Sequence, residues 1–347
     1  MSTRRIYNMK VAIVTEPYKV EIKERPIPKV GEHDVLIKVK RAGICGSDLH
    51  LYKGLHAFRK LPAALGHEVS GEVCEIGAAV KSIKVGDHVT VEPQVGCGEC
   101  EFCKSGNVNL CLNKTVPGTP AWLGTFAEYF CAPEQTVYKL NDCVGYDVGA
   151  LVEPLAVAVQ ALNQSSGESH DSLAILGCGT IGLLVLAVAK QRGYKNIYCT
   201  DTAEFNRDTA VKMGAKASYD PLNCDVTAMI RKATNGRGVD TCVVSAGAPD
   251  IIDQASSVTR KLGEVVLVAM ITRPIPVYTY GFVFNEQKLL GAMTYTTEAF
   301  AEASRLINEG LDVAPIITHN LKMEETGKGL EILDKKTENA GKILVHP

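Results

Sequence analysis

Apolar residues recur along this chain in two rhythms. Over residues 1–150 they come in short alternating runs, such as "HDVLIKVKRAG" from His33 and "GDHVTVEP" from Gly86, broken by Gly and Pro. Period-two alternation interrupted by turn formers predicts a β-rich region with long loops. "LVEPLAVAVQALNQ", from Leu151, predicts a helix, and beyond it the rhythm changes. From Leu173 uninterrupted apolar strands alternate with helical stretches: "LAILG", a helix to about Gln191, "NIYCTD", a helix to Met213, then "TCVVSAG" and "EVVLVAM". Strands that are apolar on both faces and separated by helices predict parallel βαβ units, with helices covering both faces of the sheet. The tail from Ile317 predicts a helix of period about 3.6 and then a final strand.

Composition narrows this picture. The 347 residues suit two domains and a sizeable core. Charged residues make up 22% and the net charge is −2, so there is no electrostatic footprint for nucleic acid or an anionic membrane. No run of about 18 apolar residues suggests a transmembrane helix. The start, "MSTRRIYNMK", lacks the apolar core and cleavage site of a secretory signal, so the first eight residues read as a loose extension ahead of Met9 and the strand-like "KVAIV". The location expected is the cytoplasm. In a reducing compartment, closely spaced thiols among the twelve cysteines read as metal ligands or catalytic groups. Most cysteines outside the one dense cluster, including Cys74 in "GEVCEIG" and Cys242 in "DTCVVSA", read as small buried core residues.

Chemistry enters first at "LAILGCGTIGLLVLAVAKQ", where Gly177, Gly179 and Gly182 fall in G-x-G-x-x-G spacing. Alone that spacing is weak, but here an apolar strand precedes it and a helix follows, the context a dinucleotide site needs. The first two glycines permit a tight turn and close approach of a pyrophosphate, and the third lets the helix pack near the strand. Asp201 ends the next strand, 24 residues beyond Gly177, where a carboxylate can grip adenosine ribose hydroxyls. A carboxylate there repels a 2′-phosphate, which favours NAD over NADP. The basic residues nearest it, Arg207 and Lys212, sit on the following helix and pull the other way.

Two groups of metal-type ligands precede that fold. "CGECEFCKSGNVNLC" places Cys97, Cys100, Cys103 and Cys111 in C-x2-C-x2-C-x7-C spacing. Four thiolates fill a tetrahedral zinc and leave no position for substrate, so the site reads as structural, worth about 10–16 kcal/mol in small peptides. A redox C-x-x-C comes as a single pair, and a nucleic-acid zinc ribbon wants more basic neighbours than Lys104 among Glu99 and Glu101. The second group is dispersed: Cys45, Ser47, Asp48 and His50 in "GICGSDLH", His67 and Glu68 in "LGHEVSGEV", and Glu153 in "ALVEPLAVA". Cys, His and carboxylate supply three protein ligands with a fourth position open, the pattern of a catalytic zinc. Singly, Cys45 could be a core residue, His67 a satisfied buried histidine and Glu153 a carboxylate favoured at a helix start.

Taken together, "GICGSDLH", "GHEVSGEV" with "VGDHVTVEP", the four-cysteine lobe, "EPLAVAVQAL" and "GCGTIG" resemble the zinc-containing medium-chain dehydrogenase/reductase family, closest to its sorbitol (polyol), threonine and butanediol dehydrogenase branch. The resemblance runs from Met9 to the end. It implies an α/β fold: a GroES-like β-barrel catalytic domain over residues 1–155, with a structural zinc lobe at about 95–113, a Rossmann doubly wound parallel sheet over 156–293, and a return to the catalytic domain over 294–347. It also implies two zinc ions per chain. Cys45 and His67 would hold the catalytic one, with Glu68 and Glu153 sharing the remaining duty as direct and water-mediated ligand in an order left open. Asp48 would orient His67.

A carbinol gives up hydride readily once its oxygen gains alkoxide character, which a Lewis-acidic zinc promotes. Ser47, a nicotinamide-ribose hydroxyl and His50 would then carry the proton outward, although His50 also reads as a surface histidine. The resemblance further places Ile181 at the pyrophosphate turn, Val268, Ala269 and Met270 along the nicotinamide, and Met293 and Thr294 in a second cofactor stretch. Core packing is the rival reading for Val268, Ala269 and Met270. A homo-oligomer is implied, a tetramer in preference to a dimer.

Departures from the family pattern bear on substrate. Sorbitol dehydrogenases carry an arginine beside the tyrosine of the segment matching "AMTYTT", whereas Thr294 precedes Tyr295 here. Asn206 stands where relatives often have a basic residue, with Arg207 shifted by one. The only tryptophan, Trp122 in "GTPAWLGTFAEY", reads either as a substrate wall or as a packing residue. With Tyr52, His56, Phe58 and Tyr295 it makes up the expected substrate shell. The activity expected is hydride transfer to NAD from a secondary alcohol, in the form of a polyol, cyclitol or sugar-derived alcohol. Threonine 3-dehydrogenase-like or 2,3-butanediol dehydrogenase-like activity is the first alternative. The other is a catalytically silent cofactor-binding scaffold.

Overall fold

The computed structural model describes residues 8–56, 59–166 and 171–347. Residues 1–7 of the expected extension, and Phe58 of the expected substrate shell, lie outside the described residues, and Asn8 already opens a strand, Asn8–Glu16. The described residues fall into two compact units. One draws on Met1–Glu153, Ala303–Gly310 and Ile317–Pro347, and the other on Pro154–Glu302 and Leu311–Ile316. No helix among the described residues is long and apolar enough to cross a membrane.

The first unit is organised by the long strand Asp34–Gly43. One of its edges is taken wholly by Glu68–Ile76, running antiparallel. The other is shared: Tyr129–Pro133 pairs with Asp34 to Lys38, and Lys342–His346 pairs with Ala42 and Gly43. His88–Val91 and Val137–Lys139 extend this seven-stranded sheet on one side and Ile317–Lys322 on the other, while Lys19–Pro26, Asn8–Glu16 and Ala63–Ala64 form a separate three-stranded sheet. Val35, Ile37 and Val39 point inward with Val69, Val73, Val89, Val91, Phe126, Phe130 and Ile343. Each such side chain contributes about 1.5–3 kcal/mol when fully buried. The same period of two corrects the expectation for Cys74. Val73 beside it is buried, so Cys74 faces outward and is exposed, whereas Cys242 is buried as expected.

The second unit holds six strands, all parallel, in the spatial order Ala217–Tyr219, Asn196–Thr200, Ser172–Leu176, Val239–Val244, Thr259–Leu267, Lys288–Gly291. Numbered along the chain this is 3-2-1-4-5-6, the doubly wound order whose crevice opens between strands 1 and 4. Leu173 to Leu176 and Cys242 to Val244 have no exposed surface, which is why they read as unbroken apolar runs.

One contact in the first unit joins residues 274 positions apart. Where Gly43 pairs with Glu68, the Glu68 carboxylate turns inward, and a Cβ on residue 43 would come within 1.8 Å of its Oε2. The final strand brings Lys342 to the same place, and its Nζ donates to both Glu68 oxygens at 2.7 Å and to the Ile44 carbonyl at 3.1 Å. Both side chains are almost wholly buried. Burial works against the ammonium form, but the charge of Glu68, with Cys45 and Glu153 further off, outweighs it and holds the Lys342 pKa above its ordinary value. Removing one partner of a buried pair strands the other charge. Lys342→Met is therefore expected to lower the unfolding free energy of the chelated protein by about 3–5 kcal/mol, and adding Glu68→Gln should restore part of it. Urea denaturation of the unaltered protein and the two variants checks this, and a single-variant loss below about 1 kcal/mol would contradict the buried pairing.

Candidate active site

The register that sets Gly43 against Glu68 also brings together the residues flanking them. Cys45 lies two positions past Gly43 and His67 one before Glu68, so two segments far apart in sequence turn into the same corner. The ligand atoms of Cys45, His67 and Glu68 all lie within 4.8 Å of one another. Asp48 fastens the corner. It is buried in the first turn of the helix Gly46–Tyr52; its Oδ2 accepts the Cys45 N–H at 3.0 Å and its Oδ1 the Gly66 N–H at 3.2 Å. His67 Nδ1 stands 3.7 Å from Asp48 Oδ1 and has no hydrogen-bond partner, although it is buried. Burial raises the Asp48 carboxyl, but His67 and the two amides outweigh it and hold its pKa below the ordinary value. Burial likewise lowers His67, and Asp48, followed by Cys45, more than reverses this and keeps it well above 6.5.

A thiol, an imidazole and a carboxylate with converging ligand atoms suit a divalent cation with three protein ligands, while His67 Nδ1 faces Asp48. Of the two carboxylates named from sequence, Glu68 belongs to this cluster. Glu153 is buried in the first turn of Val152–Asn163. Ser47 and His50, both half-buried, lie three apart on the helix that Cys45 caps, and so on one face of it.

The four cysteines of the lobe converge as well, with their sulfurs within 4.8 Å of one another. Cys100 caps the short helix Glu101–Lys104 and accepts the Cys103 N–H at 3.4 Å, while Cys111 accepts the Cys97 N–H at 3.4 Å. Amide donors from Glu99 and Cys100 hold the Cys97 thiol below its ordinary value, while burial and the neighbouring sulfurs hold Cys103 above its own. Four sulfurs with no oxygen or nitrogen ligand among them fit a closed tetrahedral metal.

In the second unit the glycine-rich turn sits at the mouth of the crevice. Gly177 has φ +99°, and a Cβ there would meet Ala246 at 2.5 Å; at Gly182 a Cβ would stand 1.9 Å from the Gly177 carbonyl. At Gly179 nothing lies within 4 Å, so the backbone is bare on the side a pyrophosphate would approach. Ser245, which sequence reasoning missed, directly follows strand 4 and donates to the Gly177 carbonyl at 2.6 Å, pinning the turn across the crevice. Asp201 Oδ2 accepts the Cys178 N–H and Oδ1 the Ala203 N–H, each at 2.8 Å. Arg207 Nη1 donates to the carbonyls of Asp201 and Thr202, both at 2.9 Å.

Of the looser assignments, Ile181 is half-buried at the helix start, and Val268 and Ala269 hang from the Val244 carbonyl at 3.1 and 3.0 Å. Met270 is 64% and Met293 51% exposed, so core packing does not account for them. Thr294 has φ +43° and a buried hydroxyl without a partner, a strained β-branched residue of the kind found at ligand sites.

Tyr52, His56, Trp122 and Tyr295 of the expected substrate shell each have partners of their own. Tyr52 is buried and donates its hydroxyl to the Tyr18 carbonyl at 3.2 Å. His56 Nδ1 accepts the Arg59 N–H at 3.1 Å, and burial, followed by Arg59, lowers its pKa. Trp122 stacks on Phe130 in the core of the first unit, with Nε1 donating to the Cys131 carbonyl at 2.8 Å. It borders a cavity of ≈ 450 Å³ whose lining includes neither Cys45 nor His67. Tyr295 is buried against Phe300 in the second unit.

Known proteins resemble this chain in sequence and fold. Residues 31–142 match the family model described as alcohol dehydrogenase GroES-like domain, and residues 180–309 the model described as zinc-binding dehydrogenase. A sorbitol dehydrogenase of Bacillus subtilis (strain 168) is 33% identical over 346 residues, 98% of each chain. The structure of 2R,3R-butanediol dehydrogenase from Bacillus subtilis superposes with a TM-score of 0.90 at 34% identity, covering 98% of this chain and 99% of that one. A zinc-binding dehydrogenase structure from Sinorhizobium meliloti 1021, bound to NADP, gives 0.89 at 29%, covering 98% and 100%. The chain belongs to the zinc-containing medium-chain dehydrogenases, in their polyol, threonine and butanediol branch, and is an NAD(P)-dependent oxidoreductase acting on an alcohol.

Proposed function

We propose that the substrate is a secondary alcohol of a polyol, cyclitol or sugar-derived alcohol, oxidised with NAD at the Cys45–His67–Glu68 corner. The observation that carries the reading is the convergence of thiol, imidazole and carboxylate, with Asp48 locking the two segments that supply them. When bound there, zinc supplies Lewis acidity toward the carbinol oxygen, and NAD supplies the hydride acceptor. Asp48 fixes the orientation of His67, and Lys342 holds Glu68 in place. Ser47 accepts the carbinol proton and His50, one turn along, passes it outward. Glu153 acts near Lys342 as the second carboxylate of the site. A threonine- or butanediol-like substrate is the second reading, favoured by the butanediol dehydrogenase likeness.

Following NAD reduction across polyols, inositols, sugar acids, diols and threonine, with and without a chelator, is expected to show the fastest turnover on a polyol or sugar-derived alcohol, abolished by the chelator. Zinc-replete protein that reduces NAD with none of them would overturn the reading.

The two cysteine groups are expected to separate. Cys103→Ser should lose one zinc per chain together with thermal stability. Cys45→Ser should lose one zinc and keep its fold, with turnover falling by more than the about 10–100-fold that loss of a supporting group costs. Metal analysis beside a thermal melt decides it, and a Cys103→Ser protein that melts normally but cannot turn over would refute the division.

A homo-oligomer is proposed from the second unit, where Val277, Tyr278, Tyr280, Val283, Phe284 and Leu289 are exposed beside the edge strand Lys288–Gly291. An edge with apolar neighbours pairs readily with a second copy. Sedimentation should find a tetramer, dissociating when Tyr280 and Phe284 are changed to Glu; a monomeric unaltered protein would exclude this.

A further inference from the structure

Asp220 has no part in the reading above. It follows the edge strand Ala217–Tyr219, whose Tyr219 pairs with Thr200, and the Asp201 N–H donates to the Tyr219 carbonyl at 3.2 Å. Two neighbouring parallel strands thus deliver two carboxylates, Asp201 and Asp220, side by side at the same end of the sheet. Between them stands one cation. Arg207, on the helix Glu204–Lys212, has Nη1 on the carbonyls of Asp201 and Thr202 and 3.2 Å from Asp220 Oδ2. Asp220 is itself tethered, with Oδ1 accepting the Leu222 N–H at 2.9 Å and Oδ2 the Asn223 side-chain amide at 3.0 Å. Both partners of the ion pair are mostly shielded, at 18% and 20% side-chain exposure, so solvent screens the pair only partly.

Arg207 engages through Nη1 alone, and its Nη2 and Nε carry no hydrogen bond to any described residue. That leaves an open edge of a guanidinium fork, the shape that takes a phosphate through two parallel bonds. It stands at the turn whose carboxylate would receive the adenosine ribose. The local sum of Asp201, Asp220 and Arg207 is nevertheless −1, which disfavours a second anion.

We infer that Asp220 is a cofactor-discriminating residue: by neutralising Arg207 and holding it against the Asp201–Thr202 turn, it keeps the site selective for NAD. Without that carboxylate the same guanidinium becomes the partner of a 2′-phosphate, and the fold accepts NADP. This rests on the reading of Asp201 as the ribose-binding carboxylate.

The test uses full-length, zinc-loaded protein and isothermal titration with NAD and with NADP, alongside kcat/KM for each. Asp220→Asn should shift the NADP-to-NAD affinity ratio toward NADP by about tenfold, the scale of one partly screened charge at contact range. Arg207→Gln added to it should remove the shift. Adenosine 2′,5′-bisphosphate, which carries the phosphate without the nicotinamide, should follow NADP in both variants. A ratio unmoved by Asp220→Asn overturns the inference, and so does a shift that survives in the double variant. If Asp201→Asn leaves NAD affinity unchanged, the ribose reading falls and the inference with it. If NAD binding depends on Asp201 while the Asp220→Asn ratio stays fixed, the ribose reading stands and the Asp220 role alone is lost.

Discussion

The Gly43–Glu68 strand pair, closed by Lys342, is the constraint on which the corner holding Cys45, His67 and Glu68 depends. Its register places Cys45 and His67 next to one another, and the missing Cβ at Gly43 makes room for the carboxylate of Glu68. A bare carboxylate that deep would take up a proton or reject the fold, because desolvating an ion costs several kcal/mol. Lys342, held by the last strand of the chain, removes that obstacle. The metal-type corner is therefore complete only when the chain's final strand has docked on Asp34–Gly43. Lys342 thus governs whether Glu68 can stay charged in that corner.

The two metal-type groups are built on opposite principles. The lobe cysteines lie within fifteen residues, and a short helix and its cap bring the sulfurs together with little loop to close. Its geometry is local, and the backbone amides around it already favour the thiolate form of Cys97. The catalytic corner instead draws on a strand pair, a buried aspartate and the far end of the chain. Long-range assembly costs more loop entropy, but it gathers a thiol, an imidazole and a carboxylate into one corner. The closed site suits structure and the open one suits exchange with substrate.

This contrast explains what was legible in the sequence. The parallel sheet, its glycine turn and the four-cysteine lobe could be read because each is written in local spacing: unbroken apolar runs, G-x-G-x-x-G, C-x2-C-x2-C. The grouping of Cys45, His67 and Glu68 was read from residue types occurring together ahead of a dinucleotide fold, and the resemblance then assigned the ligand roles, since nothing local ties "GIC" to "GHE". Lys342, in "AGKILVHP", carried no signal at all, because its meaning lies in a partner 274 residues away. Cys74 was misplaced because an apolar run hides which side chains face out; the strand register decides, putting Val73 in and Cys74 out. Trp122 was ambiguous for a different reason. An indole can pack and line a cavity at once: here the ring stacks on Phe130, its N–H meets the Cys131 carbonyl, and it borders a cavity of the first unit.

The end of the second strand of the parallel sheet shows the same limit in electrostatic form. A motif reading assigns the cofactor from the carboxylate at Asp201 and treats the arginine six residues on as a complication. In the structure the carboxylate's two oxygens are already engaged by amides, and the arginine is engaged by a second carboxylate from the next strand. Neither residue's charge acts alone: what a ribose or its phosphate would meet is the sum over Asp201, Arg207 and Asp220. Two chains could share the same strand-end aspartate and the same arginine and still differ in preference, if only one carried a carboxylate at the position of Asp220. Discrimination of that kind belongs to the neighbouring strand, which the motif does not include.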